Sequence, residues 1–344
     1  MLKPPIDKST LRGRRRRLAV VLPAVLLLFL ILFGLQFHHF RTTPVSPPQT
    51  VDLHIAAGSS FSQICQQLAD NGVIDHPILF RLLGRLTGVT AKLRAGDYRF
   101  STPATPGEIL QRLVAGDVRH FRFTIPEGLT LVEIAARYQQ AGFGRADDLL
   151  RAAADPKLLK QLDPGVSSLE GYLFPETYTL ETTTTPRQLL QAMIDEFKRR
   201  LGPDLLAAAA RRGLDRRKLV ILASIVQKEA GNNAEMPLIA AVFHNRLRRR
   251  IPLQADPTVI YGISNFDGNL TRRDLETPTA YNTYTRAGLP AGPIANPGMA
   301  ALEAAANPAA VDYLYFVARG DGTHEFSRTL AEHNRAVRKY QLGR

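Results

Sequence analysis

The segment LVILASIVQKEAG, residues Leu219–Gly231, places a lysine and a glutamate at the end of eight consecutive residues that suit a buried helix. At about 100° per residue, Leu222, Val226 and Glu229 fall within roughly 60° of one another on the helix surface. A carboxylate held among aliphatic side chains loses hydration, which raises its pKa and keeps it protonated nearer to neutral pH. A general acid needs this property, so the segment predicts a central helix that carries a catalytic acid. The alternative is a solvated glutamate at a fraying helix end.

Two loop-rich segments follow this helix and are crowded with side chains that form hydrogen bonds to sugars. They are LQADPTVIYGI, residues 253–263, and LETPTAYNTYTRAGLPAGPIANPG, residues 275–298. Tyrosine rings beside hydroxyl and amide groups suit a polyol with apolar ring faces. The sequence therefore predicts a carbohydrate-binding groove, which its prolines and glycines would hold rigid. A purely structural pair of loops is the alternative.

A third segment, SLEGYLFPETY at residues 168–178, supplies further tyrosines and carboxylates. Ordinary glycosidases use two carboxyl groups that lie about 5–9.5 Å apart. Glu170, Glu176 and Asp256 are the candidates for a second carboxyl group beside Glu229. Spacing along the sequence does not choose among the three.

The N-terminal region combines a basic run with an apolar segment. RGRRRR is followed by residues 18–37, twenty residues without a charge, which match the thickness of a bilayer core. A secretory signal peptide is the competing interpretation, but the residues after this segment offer no small-x-small cleavage site. We therefore expect a retained transmembrane helix at 18–37, a cytoplasmic basic N-terminus at 1–17 and a proline-rich linker at 38–50. The rest of the chain would lie outside the cytoplasm.

Beyond the linker, one pattern occurs twice. Alternating apolar residues from Val51 predict a strand, Gly58 predicts a turn, and apolar residues from Phe61 at helical spacing predict an amphipathic helix. The same order returns at a constant offset of seventy residues, which predicts a duplicated strand–turn–helix unit. Cys65 lies on the apolar face of the first helix and is the single cysteine of the chain, so it predicts a small buried hydrophobe and no intrachain disulfide. Near the C-terminus, DYLYFVARG and HEFS predict a β-hairpin that precedes a surface helix.

The sequence lacks the motifs of several other kinds of catalytic site. The sequence contains no HExxH and no histidine pair at helical spacing, so we expect no metal site. The GxSxG motif and the phosphate-binding glycine loop are also absent, and we expect no cofactor. The net charge of +13 fits an acidic polymer or an anionic surface, but solvated charge alone would look the same. Nucleic acid is not among the expected partners.

Seven motifs together resemble the MltG (YceG-like) family of bacterial endolytic murein transglycosylases. In chain order they are IPEG, LEGYLFPETY, ASIVQKEAG, NRL, LQADPTVIYG, LETPTAYNTY and GLPAGPIANPG. The similarity extends from Val51 to the C-terminus. It implies an α+β fold with one N-terminal transmembrane helix, a LysM-like strand and helix subdomain at 51–119 and a mixed α/β catalytic domain at 120–344.

The resemblance also implies a chemistry. Glu229 would be the catalytic acid, which protonates the glycosidic oxygen between N-acetylmuramic acid and N-acetylglucosamine in peptidoglycan. As a carboxylate it would then take the proton from the muramyl C6 hydroxyl, which attacks C1 and forms a 1,6-anhydro end. An intramolecular nucleophile carries a high effective concentration, so one carboxyl group can suffice. The residues expected to bind or orient the sugar are Gln254, Asp256, Thr258, Tyr281, Asn282, Glu170 and Tyr172.

The implied setting is the bacterial inner (cytoplasmic) membrane, with a periplasmic body that acts on nascent peptidoglycan strands and works beside peptidoglycan synthases. Two alternatives stay open at this point. One is a muramidase that uses water as the nucleophile in the same groove. The other is a membrane-tethered protein that binds the wall through its LysM-like region without catalysis.

Overall fold

The structure of the protein is a computed structural model that describes residues 8–47, 49–163 and 165–343, with side chains from residue 21 onward. The described residues separate into two compact units. The first comprises the chain up to Phe121 together with residues 181–183, and the second comprises residues 122–180 and the chain from Thr184. Helices and strands occur in both, so the expectation of a mixed α and β protein is confirmed.

The first unit pairs a two-stranded antiparallel sheet with helices on a hydrophobic core. Strands β1 and β2 pair from Val51 opposite Phe100 to Ile55 opposite Gly96. Alternate residues of β1 are buried because one face of the sheet covers the core. The elements of this unit are α1 (Lys8–Thr42), β1 (Val51–Ile55), α2 (Phe61–Asp70), α3 (Pro77–Leu86), β2 (Gly96–Phe100) and α4 (Pro106–Ala115).

Helix α1 contains an apolar segment, Val21–Thr42, that is long enough to cross a membrane. Length and composition alone do not distinguish a membrane anchor from a signal sequence. The helix extends five residues beyond the predicted span, to Thr42, so the start of the predicted linker is helical. The extension has a physical cause, because Phe37 and Phe40 pack against the core of the first unit. Residues 1–7 of the predicted cytoplasmic segment lie outside the described residues.

The predicted repeat is confirmed at the level of secondary structure. Helix α2 begins at Phe61 and the fifth helix, α5, begins at Leu131, seventy residues later. Gly58 and Gly128 both have a positive φ in the turn before the helix, and a capping box closes each helix N-terminus. Cys65 is fully buried, as expected. The LysM-like character of the first unit stays a prediction.

The second unit is mainly helical. Its two small sheets pair β3 with β4 and β5 with β6. A 3₁₀ turn, Asn233–Glu235, links α10 to α11. In chain order the elements are β3 (Phe121–Thr124), α5 (Leu131–Gln140), α6 (Ala146–Ala153), α7 (Pro156–Leu159), β4 (Thr177–Leu180), α8 (Pro186–Arg200), α9 (Pro203–Arg211), α10 (Arg216–Glu229), α11 (Met236–Arg248), α12 (Asp256–Tyr261), α13 (Arg272–Glu276), α14 (Met299–Ala306), β5 (Tyr315–Ala318), β6 (His324–Ser327) and α15 (Leu330–Tyr340).

Helix α10 is the centre of this unit, as its sequence predicts. Every residue from Leu219 to Val226 is buried, and the helix packs against α9, α11, α12 and α14. The Asp215 side chain caps its N-terminus by accepting a hydrogen bond from the Lys218 amide. The helix ends at Glu229 because Ala230 adopts an extended conformation. A rigid, fully packed rod therefore fixes the position of its last residue.

The predicted C-terminal hairpin and surface helix are confirmed. Strands β5 and β6 pair antiparallel with Tyr315 opposite Ser327, and two glycines with positive φ, Gly320 and Gly322, form the turn. Helix α15 packs against both strands. The turn of this hairpin contacts the segment that follows Glu229, since the Asn232 side chain donates a hydrogen bond to the Gly322 carbonyl at 3.1 Å.

Candidate active site

Glu229 stands at the C-terminal end of α10 with a perturbed carboxyl group. Burial and, to a smaller extent, the negative charge of Asp256 together raise its pKa to about 8. Among the described residues its carboxyl has no hydrogen-bond partner, and its oxygens are not sealed from solvent. The residue is partly exposed although dense protein surrounds its carboxyl. Glu229 is therefore a protonated acid at neutral pH that a ligand can reach.

Asp256 and Tyr284 form a pair next to this acid. Asp256 is the first residue of α12, and its carboxylate accepts a hydrogen bond from the Tyr284 hydroxyl. The pKa of Tyr284 is raised by burial, by that bond and by the negative charges of Asp256 and Glu229. The three side chains thus belong to one electrostatic cluster that α10, α12 and the loop before α14 bring together.

Of the three candidates for a second carboxyl group, the structure brings Asp256 to Glu229. Glu176 instead pairs with Arg200 at 2.9 Å and accepts a hydrogen bond from a neighbouring backbone amide. Glu170 is buried, and its carboxyl group accepts hydrogen bonds from other parts of the protein. Within the described ranges, no group of three or more His, Cys, Asp or Glu side chains could hold a metal ion.

Glu170 binds three donors inside the protein. Its carboxyl accepts hydrogen bonds from the Leu131 amide at the first position of α5, from the Asn296 side chain and from the Tyr261 hydroxyl. Burial raises its pKa to about 7, although the hydrogen bonds act in the opposite direction. Asn296 also accepts from the amides of Gly171 and Leu173. This network holds the chain segments around the site together, and it gives Glu170 a structural role.

Two of the expected sugar-binding residues lie inside the protein. Thr258 and Asn282 are fully buried. The Thr258 hydroxyl donates to the Ala255 carbonyl and shares a hydrogen bond with Thr283, whereas the Asn282 amide donates to three backbone carbonyls of residues 274–277. Full burial with internal partners excludes direct contact with a ligand here. Both side chains shape the loops that carry Asp256 and Tyr284.

The two aromatic candidates also differ in position. Tyr172 is buried, its hydroxyl donates to Asp163 and its ring packs edge-on against Phe197 at 5.2 Å. It belongs to the core and not to a sugar-stacking surface. Tyr281 is half-buried and packs edge-on against Tyr261 with ring centroids 4.8 Å apart. Tyr281 therefore retains a surface that a ligand can contact.

Gln254 is exposed and is held by a residue that the sequence analysis did not single out. Buried Arg246 of α11 donates hydrogen bonds to the carbonyls of Pro252, Leu253 and Leu314 and to the Gln254 side chain at 3.0 Å. Gln254 has a φ of +53°, a conformation that costs free energy for a side-chain-bearing residue. The signal for this support was an arginine inside the apolar helix α11, because a buried guanidinium needs several acceptors.

The chain is similar to two curated proteins and to one crystal structure. The chain is 34% identical over 307 residues to the endolytic murein transglycosylase of Bacillus subtilis strain 168, with 85% of each chain covered. It is 29% identical over 342 residues to the endolytic murein transglycosylase of Streptococcus pneumoniae serotype 2 strain D39. That alignment covers 90% of this chain and 62% of the Streptococcus protein. A crystal structure of a putative YceG-like protein from Listeria monocytogenes has a TM-score of 0.57 and 34% identity over 83% of this chain and 99% of that one.

The family model that describes YceG-like proteins matches residues 53–339. This match includes both repeated strand–turn–helix units, the central helix and all the loops around Glu229. The motifs that carried the resemblance in the sequence lie within the same range. The chain therefore belongs to the YceG-like family.

Proposed function

We propose that this protein is an endolytic murein transglycosylase, a lyase that cleaves the bond between N-acetylmuramic acid and N-acetylglucosamine and leaves 1,6-anhydro ends. The observation that carries the proposal is the Glu229 carboxyl, protonated at neutral pH, accessible to a ligand and fixed by a buried helix. The activity named for the Bacillus and Streptococcus relatives supports the same assignment. Termination of nascent glycan strands is the biological role that we attach to this activity.

In the first step Glu229 acts as the general acid. Because its pKa is about 8, most molecules carry the proton at pH 7 and can donate it to the glycosidic oxygen. The bond between the muramyl C1 and that oxygen breaks, and the N-acetylglucosamine hydroxyl leaves with the proton. Positive charge then develops on the muramyl ring.

The Asp256 carboxylate stabilises this charge. Tyr284 holds it by a hydrogen bond, so the negative group is oriented before the reaction begins. The cluster thus contains two carboxyl groups in different roles, with Glu229 as the proton donor and Asp256 as the group held by Tyr284. Asp256 is a partner for the transition state and does not need to attack the sugar.

In the second step Glu229 acts as the base. It accepts the proton of the muramyl C6 hydroxyl as that oxygen bonds to C1 of the same sugar, which closes the anhydro ring and restores the acid. The attack is intramolecular, so it needs neither a bound water nor a covalent enzyme intermediate. The exposed Gln254 amide and the Tyr281 ring are the groups that we assign to sugar orientation at the entrance.

The location follows from α1. We assign the apolar segment to an anchor in the bacterial inner membrane, with the arginines that precede it in the cytoplasm and the chain that follows it in the periplasm. The LysM-like region at 51–119 would contact the glycan. Peptidoglycan synthases are the protein partners that fit an enzyme acting on new strands at the membrane.

The test removes the acidic side chain of Glu229 and measures the cleavage activity of the full-length protein in detergent. Glu229→Gln removes the proton donor but keeps the shape of the side chain, so we expect cleavage of purified glycan strands to fall at least about a thousandfold. Glu303→Gln, an exposed glutamate on α14, is the matched control and should retain full activity. A Glu229→Gln variant with near-normal activity would remove the basis of the proposal, and a wild-type protein that binds strands without cutting them would indicate a wall-binding protein.

A further inference from the structure

A second concave site lies in the same compact unit as Glu229 but does not include it. It is a cavity of about 1220 Å³ between the end of α9, the first two turns of α10, the outer side of α11 and the segments at 289–291 and 308–312. Neither Glu229 nor Gln254, Asp256 or Tyr281 lines it. The proposed reaction does not use this cavity.

The wall of the cavity is strongly basic. Two of its cations are neutralised locally, since Lys218 pairs with Asp215 and Arg328 pairs with Asp312. The other four have no carboxylate partner among the described residues. They are Arg211, Arg212, Arg217 and Arg248. The site therefore carries an excess of positive charge that an anionic ligand would neutralise.

The rest of the lining is apolar. Ile221, Leu247 and Leu289 contribute aliphatic surface, and small residues of the segment 308–311 complete the wall. Arg217 is anchored by a hydrogen bond from its guanidinium to the Ala291 carbonyl at 2.9 Å. A ligand that fits must combine several carboxylates or phosphates with small apolar groups. Murein glycan without peptides offers fewer charged groups, because each muramic acid then carries a single lactyl carboxylate.

The cavity and the acid share their supporting elements. Helix α10 lines the cavity with Ile221 and ends at Glu229, and the loop that carries Tyr284 continues to Leu289. Eight residues of helix separate Ile221 from Glu229, which corresponds to about 12 Å along the axis. The near edge of the cavity is therefore about 12 Å from Glu229 along the helix axis.

We propose that this cavity binds the peptide stem that murein carries on its muramic acid residues, an inference that rests on the proposed function. Such stems combine free carboxylates with alanine methyl groups, which matches the basic and apolar lining. Four residues of extended peptide span at most about 13–14 Å, close to the distance from the acid along α10. The arginines would hold the stem while the glycan that bears it lies at Glu229, so the enzyme favours strands with intact peptides.

The experiment compares two substrates with the full-length enzyme in detergent. One is a set of uncrosslinked glycan strands with peptide stems, and the other is the same strands after an amidase has removed the stems. We expect Arg211→Ala/Arg212→Ala to raise KM for the peptide-bearing strands about tenfold and to leave KM for the bare strands unchanged. Arg211→Lys/Arg212→Lys should recover most of the loss because it retains the charge.

The control removes the same charge elsewhere. Arg335→Ala/Arg338→Ala deletes two exposed arginines of α15 that form no ion pair with any residue the structure describes, and it should alter neither KM. Equal effects of Arg211→Ala/Arg212→Ala on both substrates, or no effect on either, would overturn the proposal. A phenotype of that variant in cells without any change in the purified reaction would also overturn it, in favour of an acidic protein partner. If the wild-type enzyme cuts neither substrate, the proposed function has failed instead.

Discussion

Asp256 lies close enough to Glu229 for its negative charge to contribute, after burial, to the rise of the Glu229 pKa to about 8. The two residues come from different elements, since one begins α12 and the other ends α10. Their proximity links the strength of the acid to the charge that stabilises the transition state. A change at either residue should therefore alter the pH dependence of the reaction as well as its rate.

Asp256→Asn should separate these two effects. Activity requires protonated Glu229, so the rate of the wild-type enzyme should fall as pH rises through about 8. Without the neighbouring charge the pKa of Glu229 is lower, and this alkaline limb should move to lower pH. Loss of the charge should also reduce kcat at pH 6 by about 10–100-fold. A pH profile of kcat for both enzymes measures both effects, and an unmoved alkaline limb would contradict the electrostatic coupling.

Glu229→Gln should stabilise the protein at alkaline pH. Between its ordinary pKa of 4.5 and its folded pKa of about 8, Glu229 binds more protons in the folded state, so the free energy of unfolding decreases as pH rises through this range. The Glu229→Gln variant has no carboxyl group at this position, so its free energy of unfolding does not decrease for this reason. After allowance for partial exposure we expect a gain of about 1–3 kcal/mol at pH 8.5 and none at pH 4. Urea unfolding at the two pH values tests this, and Glu170, which titrates in the same range, is common to both proteins. Equal stability at pH 8.5 would mean that the acid is solvated.

Glu170→Ala should damage folding rather than catalysis. The change leaves the Leu131 amide, the Asn296 side chain and the Tyr261 hydroxyl without their acceptor. We expect a loss of about 2–4 kcal/mol in the free energy of unfolding, because buried donors without partners are costly. Glu170→Gln keeps an acceptor oxygen, so it should lose less and retain kcat within about threefold. A thousandfold fall in kcat for a stable Glu170→Gln protein would instead make Glu170 a participant in the reaction.

Gly231→Ala should displace the turn between β5 and β6, which contacts the segment that follows Glu229. A Cβ atom at this position would meet the Gly322 carbonyl oxygen at 2.4 Å, so the turn between β5 and β6 would have to move away from the segment after Glu229. We expect kcat to fall about tenfold with little change in KM, since a misplaced acid affects the chemical step. Gly202→Ala, where the new Cβ meets open space, is the control and should leave kcat unchanged. Normal kcat in Gly231→Ala would show that the hairpin turn does not position the acid.

Local patterns were enough to predict α10, Glu229 at its end and the repeated strand–turn–helix unit. Each of these depends on residues that are neighbours in the chain, so periodicity and capping signals reveal them. The partners of the polar loop residues could not be predicted in the same way. Whether Thr258 or Asn282 faces a ligand or a backbone carbonyl depends on how residues up to 28 positions apart meet in the folded loops.

The burial of Tyr172 and the contacts of Arg246 could not be predicted from the sequence for the same reason. Tyr172 belongs to a motif rich in sugar-binding residue types, yet the packing of α8 through Phe197 buries it. Arg246 binds Gln254 together with the carbonyls of residues 252–253 and of Leu314, and an arginine in helix α11 does not indicate by itself which acceptors it meets. The proximity of Asp256 to Glu229 also required the fold, because the two residues are 27 positions apart in the sequence.

The most direct test of the central claim is the origin of the oxygen in the new glycan ends. The full-length enzyme would cleave purified strands in water enriched in oxygen-18, and mass spectrometry would measure the new muramic acid termini. Ring closure under control of Glu229 predicts anhydro termini that contain no oxygen-18 and are one water lighter than reducing ends. Reducing termini that contain oxygen-18 would show that water is the nucleophile, which would contradict the account and identify a muramidase.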